Sequence, residues 1–151
     1  MMRYTIKLAR DDNDTYLATS RDFPELASYG ETIAEALRHA REAIEEAIAA
    51  RLAMGRDVPT GRGSGPHVVT LAPDIELKLR LHGIVGKLGL SKSALARSLD
   101  LHRPQLDRLL DPRHETRSAD LLAAFGRLGY EVDYRVSVSP RRPLRRRAKA
   151  A

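Results

Sequence analysis

The chain has 151 residues, 42% of them apolar but only 5% aromatic, and carries a formal charge of +6. That is enough apolar material for one ordinary domain or two small ones, with cores built mainly of Leu, Ala, Ile and Val. The absence of Cys excludes disulfides, thiolate metal sites and a Cys nucleophile.

No stretch approaches the ~18 uninterrupted apolar residues of a membrane-spanning helix. The N-terminus, MMRYTIKLARDD, lacks the apolar core of a signal peptide, so a cytoplasmic protein is expected. The charge is unevenly spread. Residues 1–66 hold nine Lys/Arg against eleven Asp/Glu, whereas residues 67–151 hold seventeen against nine, six of those positives lying after Ser139. A mildly acidic half joined to a basic half implies two partners, the basic half suiting a polyanion such as DNA.

In chain order, Tyr4–Leu8 and Thr15–Ser20 read as short strands joined by the turn-forming run Asp11 to Asp14. Asp22 to Glu25 is a turn, and Ala27–Tyr29 a brief extended piece. Thr32 and Glu35 form a capping box that opens a long helix. Ile33, Leu37, Ala40, Ile44, Ile48 and Leu52 recur at helical spacing on one face, and Gly55 stops it.

The run Thr60 to Pro66, with three Gly and one Pro, is either a domain linker or a flexible loop. The loop is preferred, because Val68–Leu71 reads as a strand returning to the first sheet, which moves the boundary to Ala72-Pro73. Helices then follow over Asp74–Leu88, Ser91 to Leu99, Pro104 to Leu110 and Ser118–Leu128. The segment Tyr130–Val138 alternates Tyr130, Val132, Tyr134, Val136 and Val138 with polar residues, the period of a strand.

The segment from Leu90 to Leu110 has the spacing of a helix-turn-helix. Ala96 is the small residue that lets two helices cross closely, and Leu106 and Leu109 are the buried aliphatics. Asp100 stands at the turn, where the motif more often has Gly; Asp tolerates the left-handed conformation better than most residues. In this motif the second helix enters the major groove with its N-terminal residues on base edges. His102, Arg103, Gln105 and Arg108 are the candidates there, Arg matching guanine and Gln adenine. Ser91, Lys92 and Ser93 suit phosphate contacts.

A lone terminal strand leaves backbone groups unpaired. Pairing with a second copy gives a two-fold dimer able to read an inverted repeat; packing on its own domain is the competing reading. Dimerisation through the N-terminal sheet as well would make a tetramer. The tail Arg141–Lys149 is expected to be disordered and to add non-specific phosphate attraction.

The run Arg21-Asp-Phe-Pro-Glu-Leu-Ala-Ser-Tyr-Gly-Glu-Thr-Ile-Ala-Glu-Ala-Leu37, with Ala40-Arg-Glu-Ala43 after it, resembles the signature of HicB-type antitoxins. That signature is a D-x-P-G-like turn, a short strand ending in Gly, then a T-x-x-E-A-L helix start. Glu25 stands where Gly is usual. The resemblance covers about residues 3–71, and one branch of the family carries a helix-turn-helix after it.

It implies an α+β chain in three parts. Residues 1–71 would be a truncated RNase H-like layer, three or four strands and one long helix, that binds toxin without nuclease activity. Residues 72–139 would be an all-α helix-turn-helix domain with a terminal β-strand, for DNA binding and dimerisation, and residues 140–151 a basic tail. The implied partners are a small basic HicA-type toxin that cleaves mRNA, and the operator DNA of the chain's own operon, which the complex represses. Glu42, Glu45 and Glu46 on the long helix are candidate toxin contacts; the sheet edge and the Asp22–Tyr29 segment are the alternatives.

An RNase H-like layer also raises metal-dependent nuclease chemistry, which needs carboxylates converging from strands and a helix. The available acids, Asp11, Asp12, Asp14, Asp22 and Glu25, sit in turns, where such residues serve local hydrogen bonds. His39, His67, His82, His102 and His114 have no ligand spacing, and Gly61, Gly63 and Gly65 lack the Lys-Ser/Thr and helix start of a phosphate loop. No catalytic residue, cofactor or metal is therefore expected. A transcription factor whose N-terminal half binds a small molecule is the other reading.

Overall fold

Why the first strand changes partner halfway is the key to the N-terminal half. The computed structural model, which describes residues 1–140, has β1 (Arg3–Thr5), β2 (Lys7–Arg10), β3 (Tyr16–Thr19), β4 (Ser28–Gly30), α1 (Ile33–Ala53), β5 (Val68–Thr70), α2 (Pro73–Leu88), α3 (Lys92–Leu99), α4 (Arg103–Leu110) and α5 (Ser118–Arg127). The single strand expected over Tyr4–Leu8 is two. β1 pairs antiparallel with β5, Tyr4 opposite Val69, while β2 pairs with β3 and β3 with β4. Ile6 lies at the changeover and donates its N–H to His67 O at 2.9 Å. Five strands in a two-stranded and a three-stranded sheet thus replace the expected three or four.

The Gly-rich run folds back along β1. Gly63 donates its N–H to Arg3 O at 2.6 Å, and a Cβ there would lie 2.5 Å from Thr5 N. Only glycine allows two backbones this close. The run is a loop of the first layer, as the return of β5 requires.

Thr32 Oγ1 accepts from Glu35 N at 3.1 Å and so starts α1, but Glu35 reaches back to the N–H of Glu31, not of Thr32. Ala36, Ala40, Ile44 and Ile48 form the buried face. Ile33, expected on that face, is instead 40% exposed. The reason is the close pass of Gly30, where a Cβ would come 2.3 Å from Ala36 N: contact that tight puts Ala36, not Ile33, against the sheet. Gly55, at φ 64°, ends the helix.

The first core gathers Tyr4, Ile6, Phe23, Ile44, Ile48 and Val69. Tyr4 and Phe23 meet edge to face, centroids 5.0 Å apart, and Tyr4 OH donates to Pro59 O at 2.8 Å. The second core is made of Leu81, Leu95, Leu99, Leu106, Leu121 and Phe125. Helix α2 serves both: Ile75 and Leu79 pack on the first, Leu77, Leu81, Ile84 and Val85 on the second. Its first turn is also tied to the N-terminal half, Met2 N–H donating to Glu76 Oε2 at 2.8 Å and Ala72 N–H to Glu45 Oε1 at 3.3 Å.

The terminal strand expected over Tyr130–Val138 is not formed within the chain. Residues 130–140 are neither helix nor strand. Tyr134, Val136 and Val138 are exposed, and Val132 alone of the alternating set joins the second core. A strand is defined by its neighbour, and among the described residues no strand lies alongside. The expected tail over Arg141–Lys149 lies outside the described residues.

Burial, with Asp22 and Glu76 nearby, pushes the Tyr4 phenol up to about 12. The folded state then holds this proton more tightly than the unfolded chain. Its contribution to stability is full below pH 10 and is lost as pH rises through about 12. Ultraviolet titration of the native protein should show a tyrosinate signal rising near pH 12 that Tyr4→Phe removes; a spectrum unchanged by Tyr4→Phe would contradict this burial.

Candidate nucleic-acid interface

The segment from Leu90 to Leu110 folds as two short helices joined by one left-handed residue. Ser91 Oγ accepts from Ala94 N at 3.1 Å and caps α3. Asp100 ends it at φ 53°, ψ 47°, the conformation expected of the turn position. Leu101 N–H then returns to Ala96 O at 2.9 Å. Helix α4 starts at Arg103, with Pro104 also in its first turn, where a missing donor costs nothing. Leu95, Ala96, Leu99, Leu106 and Leu109 are buried between the pair and α2 and α5.

Ser91, Lys92, Ser93, His102, Arg103, Gln105 and Arg108 are all exposed. At about 100° per residue, with Leu106 and Leu109 turned inward, Arg103 and Asp107 fall on the α3 side of α4. Gln105 and Arg108 fall on the α5 side. Lys92 of α3 reaches Asp107 Oδ1 at 3.2 Å, and Arg103 Nε lies 3.7 Å from the same oxygen. Asp107 thereby holds two of the candidate cations together, a role its sequence position did not reveal.

Gln105 departs from expectation. Its Oε1 accepts the N–H of His102 at 2.8 Å, so the side-chain carbonyl serves the cap of its own helix. Recognition of adenine by a Gln amide uses donor and acceptor together. In this conformation only the NH2 is available, because the cap satisfies an N–H that the helix cannot.

The direction of α4 is fixed from behind, by α2. Lys78 is fully buried, and its ammonium donates to Asp111 O at 2.7 Å, to Arg108 O at 3.4 Å and to His114 O. One turn on, His82 Nε2 lies 2.6 Å from Leu110 O; since a carbonyl only accepts, that nitrogen carries the proton. The unpaired carbonyls that end α4, where the helix dipole is negative, thus meet a cation and a second donor. Burial lowers the Lys78 pKa, against the pull of the Asp74 and Asp111 carboxylates. Sequence reasoning missed Lys78. The available signal was its place in the apolar stripe of α2, three residues from both Ile75 and Leu81.

Comparison with known proteins gives the chain its family. A family model described as HicB_like antitoxin of bacterial toxin-antitoxin system matches residues 3–80. Antitoxin HicB of Pseudomonas fluorescens is 30% identical over 135 residues, spanning 87% of this chain and 92% of the relative. Antitoxin HicB of Escherichia coli K12 is 25% identical over 133 residues, spanning 87% and 96%. The chain belongs to the HicB-like antitoxins. A crystal structure of the Burkholderia pseudomallei antitoxin HicB superposes with a TM-score of 0.43 at 21% identity, covering 71% of this chain and 98% of that one.

Against the usual HicB-like turn, Glu25 in place of Gly now has a structural account. Its carboxylate accepts from Arg51 Nε at 3.1 Å and from Arg51 Nη2 at 2.9 and 3.1 Å, and Arg51 lies 5.1 Å over the Phe23 ring. The substituted side chain fastens the turn to the end of α1. Local backbone hydrogen bonding and Arg51 hold its pKa below the usual carboxylate value.

The other turn acids make local contacts. Asp14 pairs with Arg10 at 2.9 Å, Asp11 Oδ1 accepts the N–H of Asp12, and Asp22 N–H donates to Ser20 Oγ. Among the described residues, no three His, Asp or Glu side chains form a metal-holding group, and no helix is long and apolar enough to cross a membrane.

Of the three α1 acids named as candidate toxin contacts, Glu42 and Glu46 are exposed as expected and Glu45 is not. Glu45 is half-buried and caps Ala72 N, and Glu46 pairs with Arg113 at 2.5 Å. Glu42 is exposed, 3.6 Å from Arg38. Two of the three carboxylates hold the chain to itself because α2 and the loop after α4 pack against that end of α1.

Lys78→Met keeps the volume of Lys78 but leaves three carbonyls without their donor. It should cost about 1–3 kcal/mol of stability in urea unfolding and speed hydrogen exchange in α4 more than in β1–β3. Unchanged α4 protection would show that α4 is held by apolar packing alone.

Proposed function

We propose that this HicB-like protein masks a HicA-type mRNA-cleaving toxin with its N-terminal layer and represses its own operon with its C-terminal helices. It acts by binding, without chemistry of its own. The observation that carries the DNA half is the α3–Asp100–α4 unit. The two helices meet at a left-handed turn, the apolar side is consumed by the second core, and all seven candidate residues stay exposed. These features support the helix-turn-helix reading, in which the second helix of the motif lies in the major groove. Arg103 and Arg108 are the base-reading candidates, His102 stands beside them, and Ser91, Lys92 and Ser93 contact phosphate.

The toxin half rests on family membership, with the HicB-like match covering the whole first layer. The domain division follows: the first layer with the start of α2 for toxin, the remaining helices for DNA. In the proposed complex the exposed alternation of Tyr130, Tyr134, Val136 and Val138 is completed by the same segment of a second copy. The resulting dimer reads an inverted repeat.

Full-length protein carrying Arg103→Ala and Arg108→Ala should still rescue growth when co-expressed with the neighbouring toxin, yet fail to repress a reporter driven by its own promoter. Loss of both activities, or of neither, contradicts a division of labour between the halves.

Ending the chain after Gly129 should convert a dimer to a monomer in sedimentation and weaken operator binding. A truncated protein that still sediments as the dimer would place the interface elsewhere.

A further inference from the structure

The candidates named from sequence place a phosphate anchor on only one side of α4. A helix lying in the major groove has a sugar-phosphate wall on each flank. Ser91, Lys92 and Ser93 stand at the start of α3, on the Arg103–Asp107 side, as the Lys92–Asp107 contact establishes. The opposite side of α4, carrying Gln105 and Arg108, borders an open cleft of about 550 Å³ between α4 and α5. Arg108, Arg117 and Arg127 all line it.

Arg117 immediately precedes α5 and Arg127 is its last residue. Ten residues at 1.5 Å per residue therefore separate them by about 15 Å, enough to reach more than one phosphate of a strand. Among the described residues, Arg108 and Arg127 form no ion pair. Arg117 faces Asp120 at 3.3 Å, but its side chain is 87% exposed against 54% for Asp120. The guanidinium therefore extends past the carboxylate into solvent.

We infer that the α4–α5 cleft seats the second sugar-phosphate wall of the duplex, with Arg117 and Arg127 as backbone-positioning residues flanking Arg108. The inference rests on the DNA-binding reading above and adds two residues to it. Guanidinium groups suit this role because they offer several donors in a fixed fork to phosphate oxygens. Asp100, Glu115 and Asp120 also border the cleft. They keep it near neutral when empty, so the arginines position a duplex that α4 has already engaged and do not by themselves collect polyanions.

The test uses full-length Arg117→Ala, Arg127→Ala and the double variant. Arg10→Ala, in the hairpin of the first layer, serves as a control for net charge. Binding to the promoter duplex and to an unrelated duplex is measured from 0.05 to about 0.3 M salt. Each lost phosphate contact should reduce the slope of log K against log salt by about 1, which at 0.1 M is about eightfold in affinity relative to 1 M. The loss should be equal on both duplexes, with Arg10→Ala unchanged.

Wild-type slope and affinity in the double variant would overturn the seat while leaving DNA binding by α4 intact. So would a loss confined to the promoter duplex, which would mark base contacts instead. Failure of the wild-type protein to bind any duplex would overturn the DNA-binding reading itself. All these side chains are exposed, so the variants should keep the wild-type unfolding midpoint.

Discussion

The buried ammonium of Lys78 is the contact on which the arrangement of the C-terminal half depends. A helix of eight residues has few internal hydrogen bonds and ends in unpaired carbonyls. Left to itself, α4 would be marginal. Lys78 and His82 supply donors to that end from α2, and Leu106 and Leu109 fasten its inner face to the second core. Position and tilt are set together, and the polar face is left for solvent or a ligand. The cost is a desolvated charge, which the three carbonyls offset.

The same helix connects this arrangement to the rest of the molecule. Helix α2 closes the first core with Ile75 and Leu79 and opens the second with Leu77 and Leu81. Glu46 of α1 meets Arg113 in the loop after α4. That pair is solvent-exposed and contributes little stability. It nevertheless places a carboxylate of the proposed toxin-binding layer directly against the proposed DNA-reading unit.

Glu25 and Gln105 show how a side chain's availability depends on its neighbours. Glu25 stands where the family turn usually has Gly, and it anchors that turn to Arg51. Gln105 looked like a base reader, and its acceptor is occupied by the cap of α4. In both cases the residue type was plain from sequence, while its hydrogen-bond partner came from elsewhere in the fold or from the geometry of a turn.

What the sequence determined by itself was local. Helical spacing placed α1 through α5 to within a few residues, Thr32 and Ser91 marked two starts, and Asp100 marked the left-handed turn. Each of these is decided by side chains within one or two helical turns. The HicB-like signature, too, is a contiguous run. Tertiary structure alone decided the rest. It split the first strand at Ile6, because β5 and β3 compete for different parts of it. It buried Lys78, because α4 happened to end above it. It engaged Glu45 in the fold, paired Glu46 with Arg113 at the surface, and gave Tyr130–Val138 no strand neighbour among the described residues. A periodic pattern specifies which face of an element is apolar; which element covers that face depends on residues far away in the chain, and no local pattern encodes it.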